Sequence, residues 1–186
     1  MIESTASTRT GTQFVLRSDF PNVFVTDGEG RDLYWVRSGV ADRVGLWSLR
    51  DLGGHELASV QQHEAWPLPS YGVYREGERV ATVTEAPGPR AARWLGGLRS
   101  AVLGALPQLR YQVRAPGEGK GTLEVAAGSE AVEYHFTRDG RRAATAGLRW
   151  LPWVAGFGLG VSVAEGEDPL LILAVTAMIE SAWGRL

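Results

Sequence analysis

The chain has 186 residues, enough for one domain with a sizeable core, and its 44% hydrophobic and 22% charged content is that of an ordinary globular protein. A net charge of −2 supplies no global field that would recruit nucleic acid. The absence of cysteine excludes disulfides, thiolate catalysis, cysteine zinc sites and palmitoylation together.

Met1 to Thr12 is polar and Ser/Thr-rich, without the basic start and apolar run of a signal peptide. It reads as a disordered lead-in to a single domain spanning 13–186, with a cytoplasmic location expected. Strand signals then dominate: short runs of Val, Tyr, Trp, Phe and Thr separated by turn clusters. Phe14 to Leu16 opens the series. Val23 to Val25 runs into Asp27-Gly28-Glu29-Gly30, and Leu33 to Val36 returns. Val44 to Arg50 runs into Leu52-Gly53-Gly54, and Glu56 to Gln62 returns. Tyr71 to Tyr74 and Arg79 to Thr84 flank Glu76-Gly77. Leu109 to Arg114 and Thr122 to Ala126 follow. Val132 to Thr137 and Arg141 to Trp150 flank Asp139-Gly140, and Phe157 to Val163 closes the set. Glycine in these turns suits the positive φ that tight hairpins require. Alternation supports the assignment, since Val132, Tyr134 and Phe136 share one face and Glu133 and His135 the other. A dozen strands in consecutive hairpins favour a mainly β meander closed into an antiparallel barrel, because closure removes exposed edges.

Two segments break the rhythm. Between Pro87 and Pro107, Trp94, Leu98 and Val102 recur at helical spacing, which predicts a helical insertion over 87–107, although Gly96, Gly97 and Gly104 oppose it. From 168 to 183, Asp168 suits an N-cap and Pro169 the first helical position, and the run Leu170 to Ile179 has no charged face. A helix apolar on all sides must be buried on all sides. It is too short to span a membrane, yet it matches the height of a small barrel, whose 12-strand interior ordinary side chains cannot fill. The helix is therefore predicted to be the barrel's core.

The order of three stretches resembles the tubby C-terminal-like superfamily, especially its LURP-one-related branch and, more distantly, the phospholipid scramblases. Leu46-Trp47-Ser48-Leu49-Arg50-Asp51-Leu52-Gly53-Gly54-His55-Glu56-Leu57 is similar to that branch's hairpin motif. Tyr71-Gly72-Val73-Tyr74 is similar to a second strand motif, and Phe157 to Val163 leading into 169–183 is similar to the last strand and terminal helix. The resemblance implies a 12-stranded barrel around a C-terminal helix. It implies lipid association as well, since tubby-like members bind phosphoinositide headgroups through basic residues and scramblase-like members are linked to calcium-dependent lipid movement. This chain departs from the scramblase pattern: Trp153 to Gly160 contains no acid, and only Glu165, Glu167 and Asp168 follow, too few oxygen ligands for calcium.

No catalytic constellation stands out. His55, His63 and His135 lie in separate elements without ligand spacing, so neither a metal nor another cofactor is called for. The clusters Gly117 to Gly121 and Gly156 to Gly160 lack phosphate-loop spacing and read as turns or close-packed strand positions. The charge pattern is more informative. No acid lies between Glu85 and Glu118, while Arg90, Arg93, Arg99, Arg110 and Arg114 do. Arg90, Arg93, Trp94, Arg99 and Arg110 are thus the candidate lipid- or anion-binding residues, suited to anionic headgroups or to an acidic protein partner. Trp150-Leu151-Pro152-Trp153 forms a second aromatic cluster, expected to be buried at a barrel rim; exposure there would mark an interface. The expected function is a non-enzymatic, peripheral lipid- or membrane-surface-binding module; a protein-interaction domain and a scramblase-like lipid-transfer protein are the alternatives.

Overall fold

The computed structural model describes residues 11–19, 22–38, 46–64, 70–85, 110–115, 121–127, 133–152 and 156–182. In these, twelve strands precede one helix: β1 (Thr12–Asp19), β2 (Asn22–Asp27), β3 (Asp32–Ser38), β4 (Leu46–Asp51), β5 (Glu56–Glu64), β6 (Ser70–Arg75), β7 (Glu78–Glu85), β8 (Arg110–Arg114), β9 (Leu123–Ala127), β10 (Glu133–Arg138), β11 (Arg141–Leu151), β12 (Gly156–Val163) and α1 (Pro169–Ala182). Each strand pairs antiparallel with its neighbours in sequence, and β1 pairs with β12, so the sheet closes into a barrel. Twelve strands, closure and the terminal helix all follow the expectation from sequence. β1 begins at Thr12, one residue inside the expected lead-in. The remainder of that lead-in and the expected helix over 87–107 lie outside the described residues.

The barrel has two unlike ends. At one, which we call the hairpin end, the chain turns tightly between β2 and β3, β4 and β5, β6 and β7, and β10 and β11. Glu76 and Gly77 (φ 51° and 81°) and Asp139 and Gly140 (φ 49° and 73°) are two-residue turns with both centres left-handed, the geometry that matches strand twist. The other two turns share a device. Asp27 Oδ1 accepts from the amides of Glu29 and Arg31, both at 2.9 Å, and Oδ2 from Arg31 Nε at 2.7 Å. Asp51 repeats this on His55, through the amide at 2.8 Å and Nδ1 at 3.0 Å. These bonds hold both carboxyls below the ordinary range. For Asp27 the Arg31 amide is the largest cause, and for Asp51 the His55 side chain. β-bulges next to all four hairpins sharpen the local twist, which favours closure.

Alternate residues of every strand face inward: Phe14 and Leu16, Val23 and Val25, Ala58 and Val60, Ala81 and Val83, Leu123 and Val125, Tyr134 and Phe136, Val161 and Val163 are all buried. α1 enters from the hairpin end, and every residue from Leu171 to Glu180 is buried. Fourteen residues at about 1.5 Å each make it roughly 21 Å long, the height of the wall around it. It lies closest to β5 and β4, where Ala58 leaves room; across the interior Tyr111, Tyr134 and Phe136 fill the wider gap. Thr176 satisfies its hydroxyl on the Ile172 carbonyl at 2.8 Å, so the helix carries it without an orphaned donor.

The start of α1 is clamped. Asp168 caps it, accepting from the Leu170 and Leu171 amides at 3.1 and 3.2 Å, and the same oxygen receives Arg75 at 2.6 Å from the β6–β7 hairpin. Glu167 takes Arg138 of β10 through both carboxylate oxygens, and Arg138 also donates to the Gly121 carbonyl at 2.6 Å. Burial raises the Asp168 pKa, but the Arg75 hydrogen bond and the two amides together outweigh it, so the net shift is downward. A carboxyl depressed on folding stabilises fully above its ordinary value, near 3.8, and loses that contribution as pH falls from there through the folded value. Asp168→Ala is expected to lower the unfolding free energy by about 1 kcal/mol in chemical denaturation at neutral pH. Asp168→Asn, which retains the cap but not the charge pair, should lose less and should show a shallower decline of stability below pH 4. An unchanged acid limb in Asp168→Asn would contradict this role.

Candidate functional site

The end opposite the hairpins is bordered by the start of β2, β4, β6, β8, β10 and β12 and the close of their partners. Here the β11–β12 hairpin carries three exposed apolar side chains. Among the described residues the β10–β11 pairing reaches Glu133 and Gly147, and Leu148 to Leu151 continue β11 in pairing with Gly156 to Leu159 of β12. Leu148 and Trp150 continue the alternation of the buried Ala144 and Ala146, yet they are not buried. They are 52% and 56% exposed, and Phe157, directly across from Trp150, is 63% exposed. The two rings pack edge to face with centroids 5.1 Å apart. The expectation that the Trp150 cluster is buried is thus corrected for Trp150. It is buried only for Leu151, which points to the other face, while Trp153 lies outside the described residues.

The outer face of the same hairpin explains the glycines of 156–160. A Cβ at Gly158 would meet the Leu16 carbonyl oxygen at 2.9 Å and the side chains of Leu151 and Val15, and one at Gly160 would overlap the Arg149 side chain. Leu151 and Arg149 therefore lie flat across bare backbone, as close-packed strand glycines permit. The hairpin presents Trp150, Phe157 and Leu148 on one face and the exposed Arg149 on the other.

Both ends carry charge. At the hairpin end Asp27, Glu29, Asp51, Glu56, Glu76 and Asp139 stand with Arg31, Arg50 and His55 of the same turns and with the exposed Arg79, Arg114, Arg141 and Arg142. At the rim end Arg37, Arg110 and Arg149 are exposed. Of the carboxylates there, Glu133 faces His135 at 3.4 Å, and Glu85 and Glu180 are buried. Tyr71 lies in this part of the interior; burial pushes its hydroxyl pKa up, and the Glu85 charge adds to that.

Of the candidate residues read from sequence, Arg110 opens β8 at this rim and is exposed. Arg90, Arg93, Trp94 and Arg99 lie outside the described residues. The three histidines stay apart. His55 bonds Asp51, His63 Nε2 and the Tyr74 hydroxyl lie 2.8 Å apart, and His135 faces Glu133. Among the described residues no group of three or more His, Asp or Glu side chains is placed to hold a metal. Glu167 and Asp168 are bonded to Arg138 and Arg75. Among the described residues no helix is long and apolar enough to cross a membrane.

No family model matches the chain, and no curated protein matches it. One solved structure does: a protein from Arabidopsis thaliana superposes with a TM-score of 0.58 over 95% of this chain and 93% of that one, at 14% identity. At that identity the likeness establishes the fold. Two chains this divergent closing the same barrel shows how little of the sequence the architecture requires.

The β11–β12 hairpin depends on the backbone approach at Gly158. Gly158→Ala is expected to cost about 1–3 kcal/mol in chemical denaturation, because the Leu16 carbonyl is backbone and must move. A change below about 0.5 kcal/mol, the range of ordinary surface substitutions, would show that β1 and β12 are not so closely apposed there.

Proposed function

We propose that the protein is a non-enzymatic barrel of the tubby C-terminal-like superfamily, LURP-one-related in type, that docks peripherally on anionic membrane surfaces through its rim end. The family part of this reading is supported by the sequence motifs together with the shared fold of the Arabidopsis structure. The docking part is carried by one observation: the β11–β12 hairpin holds Trp150, Phe157 and Leu148 exposed at the rim end.

An exposed tryptophan with an apolar body and an N–H tip suits the headgroup region of a bilayer. Burying a side chain of this size contributes about 1.5–3 kcal/mol. Arg149 on the same hairpin and Arg110 and Arg37 on the same rim add attraction to anionic lipid, at about 1 kcal/mol for each charge close to the surface.

Flotation with phosphatidylserine-containing vesicles and with pure phosphatidylcholine vesicles, at low and high salt, tests this. The account expects binding to the anionic vesicles that weakens with salt. The double substitution Trp150→Ala/Phe157→Ala should reduce it by more than about ten-fold, a loss of at least about 1.4 kcal/mol. The melting temperature should change little, since both side chains are exposed. Equal binding by the double variant would remove the hairpin from the interface. Absence of binding to either vesicle would favour a protein partner for the same face, whose Trp and Arg content also suits a protein interface.

A further inference from the structure

Away from the rim, the outer wall carries a groove of about 340 Å³ between β7 and β8, lined by Arg79, Thr82, Thr84, Arg114 and Ala115. Strand alternation produces it. Ala81 and Val83 point into the core, so Thr82 and Thr84 point out, and register places Arg114 directly across from Thr82 and Gln112 across from Thr84. Arg79, beside the bulge of the β6–β7 hairpin, closes the groove from the other strand.

Its chemistry is one-sided. Both arginines are exposed, and among the described residues neither is paired with a carboxylate; Arg114 is held by Gln112 Oε1 at 3.1 Å. This contrasts with Arg31, Arg50, Arg75 and Arg138, each of which has an acid partner. Glu124, across Gln112 on β9, and Glu78, beside Arg79 on β7, are not among the described residues that line the groove. Two guanidinium groups and two threonine hydroxyls are donors converging on one concavity. That is the donor set for a compact dianion with several oxygens, whereas a single carboxylate would occupy one guanidinium fork. The volume lies at the lower limit for small-ligand sites.

We propose that this groove is a binding site for a phosphate monoester, with Arg79 and Arg114 clasping the phosphate and the Thr82 and Thr84 hydroxyls orienting it. The groove shares no residue with the rim hairpin and lies on a different face of the barrel, so the assignment is independent of membrane docking. The phosphate could be carried by a soluble ester or by a lipid headgroup, and the two sources are separable.

Amide NMR titration of the full chain with inorganic phosphate and with glycerol 3-phosphate tests the site. The expected result is a saturable shift of the Thr82, Thr84 and Ala115 amides with a Kd of about 1 mM or tighter, weakened at least about ten-fold in Arg79→Gln/Arg114→Gln. Because both arginines are exposed, the double variant should retain the unperturbed spectrum elsewhere. Absence of a saturable shift, or an equal shift in the double variant, would overturn the assignment, the latter marking an adventitious ion only. Phosphatidic acid vesicles then distinguish the source. Broadening of the same three amides that disappears in the double variant, but persists in Trp150→Ala/Phe157→Ala, identifies a lipid phosphate. Saturable binding of glycerol 3-phosphate with no vesicle effect identifies a soluble ester.

Discussion

A closed ring of twelve strands encloses more space than its own side chains can fill, and everything else in this protein depends on how that space is occupied. The occupant is α1, a helix without a charged face, buried along its length from Leu171 to Glu180. Neither part has an independent solution. The helix alone would expose a continuous apolar surface, and the ring alone would enclose a void whose lining loses its dispersion contacts. Packing off centre, against β4 and β5, makes uneven side-chain sizes necessary around the ring: Ala58 beside the helix, Tyr111, Tyr134 and Phe136 across from it. The clamps at Asp168 and Glu167 then fix where the helix starts, tying it to the β6–β7 hairpin and to β10.

Much of this was legible from the chain. Each strand is announced by a local alternation and each hairpin by a glycine-bearing turn, and the run of 169–179 has no charged face in any register. These signals act over a few residues, so one sequence contains them. What was not legible is long-range. The Arg75–Asp168 and Arg138–Glu167 pairs span 93 and 29 residues and have no local signature. Trp150 was expected to be buried at a barrel rim, and it is 56% exposed, although it continues the alternation of the buried Ala144 and Ala146. What covers a rim position is set by other parts of the chain, which no pattern within β11 encodes. The strand Arg79 to Thr84 was legible, but only the register with β8 shows that Arg114 stands across from Thr82.

The barrel separates its tasks in space. The hairpin end combines tight turns with carboxylates that brace them, and it holds the clamps on the helix. The rim end carries the exposed aromatic pair of the β11–β12 hairpin and exposed arginines. Function therefore resides in features added to a common wall and not in the fold itself. The outer wall between β7 and β8 is a third surface, distinguished by a groove lined by two arginines and two threonines.

The central claim, that ring and helix are one cooperative unit, is tested most directly by native-state amide hydrogen exchange as a function of denaturant. The account predicts that the slowest amides of α1, from Val175 to Ile179, exchange at the same free energy as those of β5 and β12, since the helix cannot leave without collapse of the ring around it. Exchange of the helix at a distinctly lower free energy, with the strands still protected, would mean that the barrel stands without its core and would contradict the account.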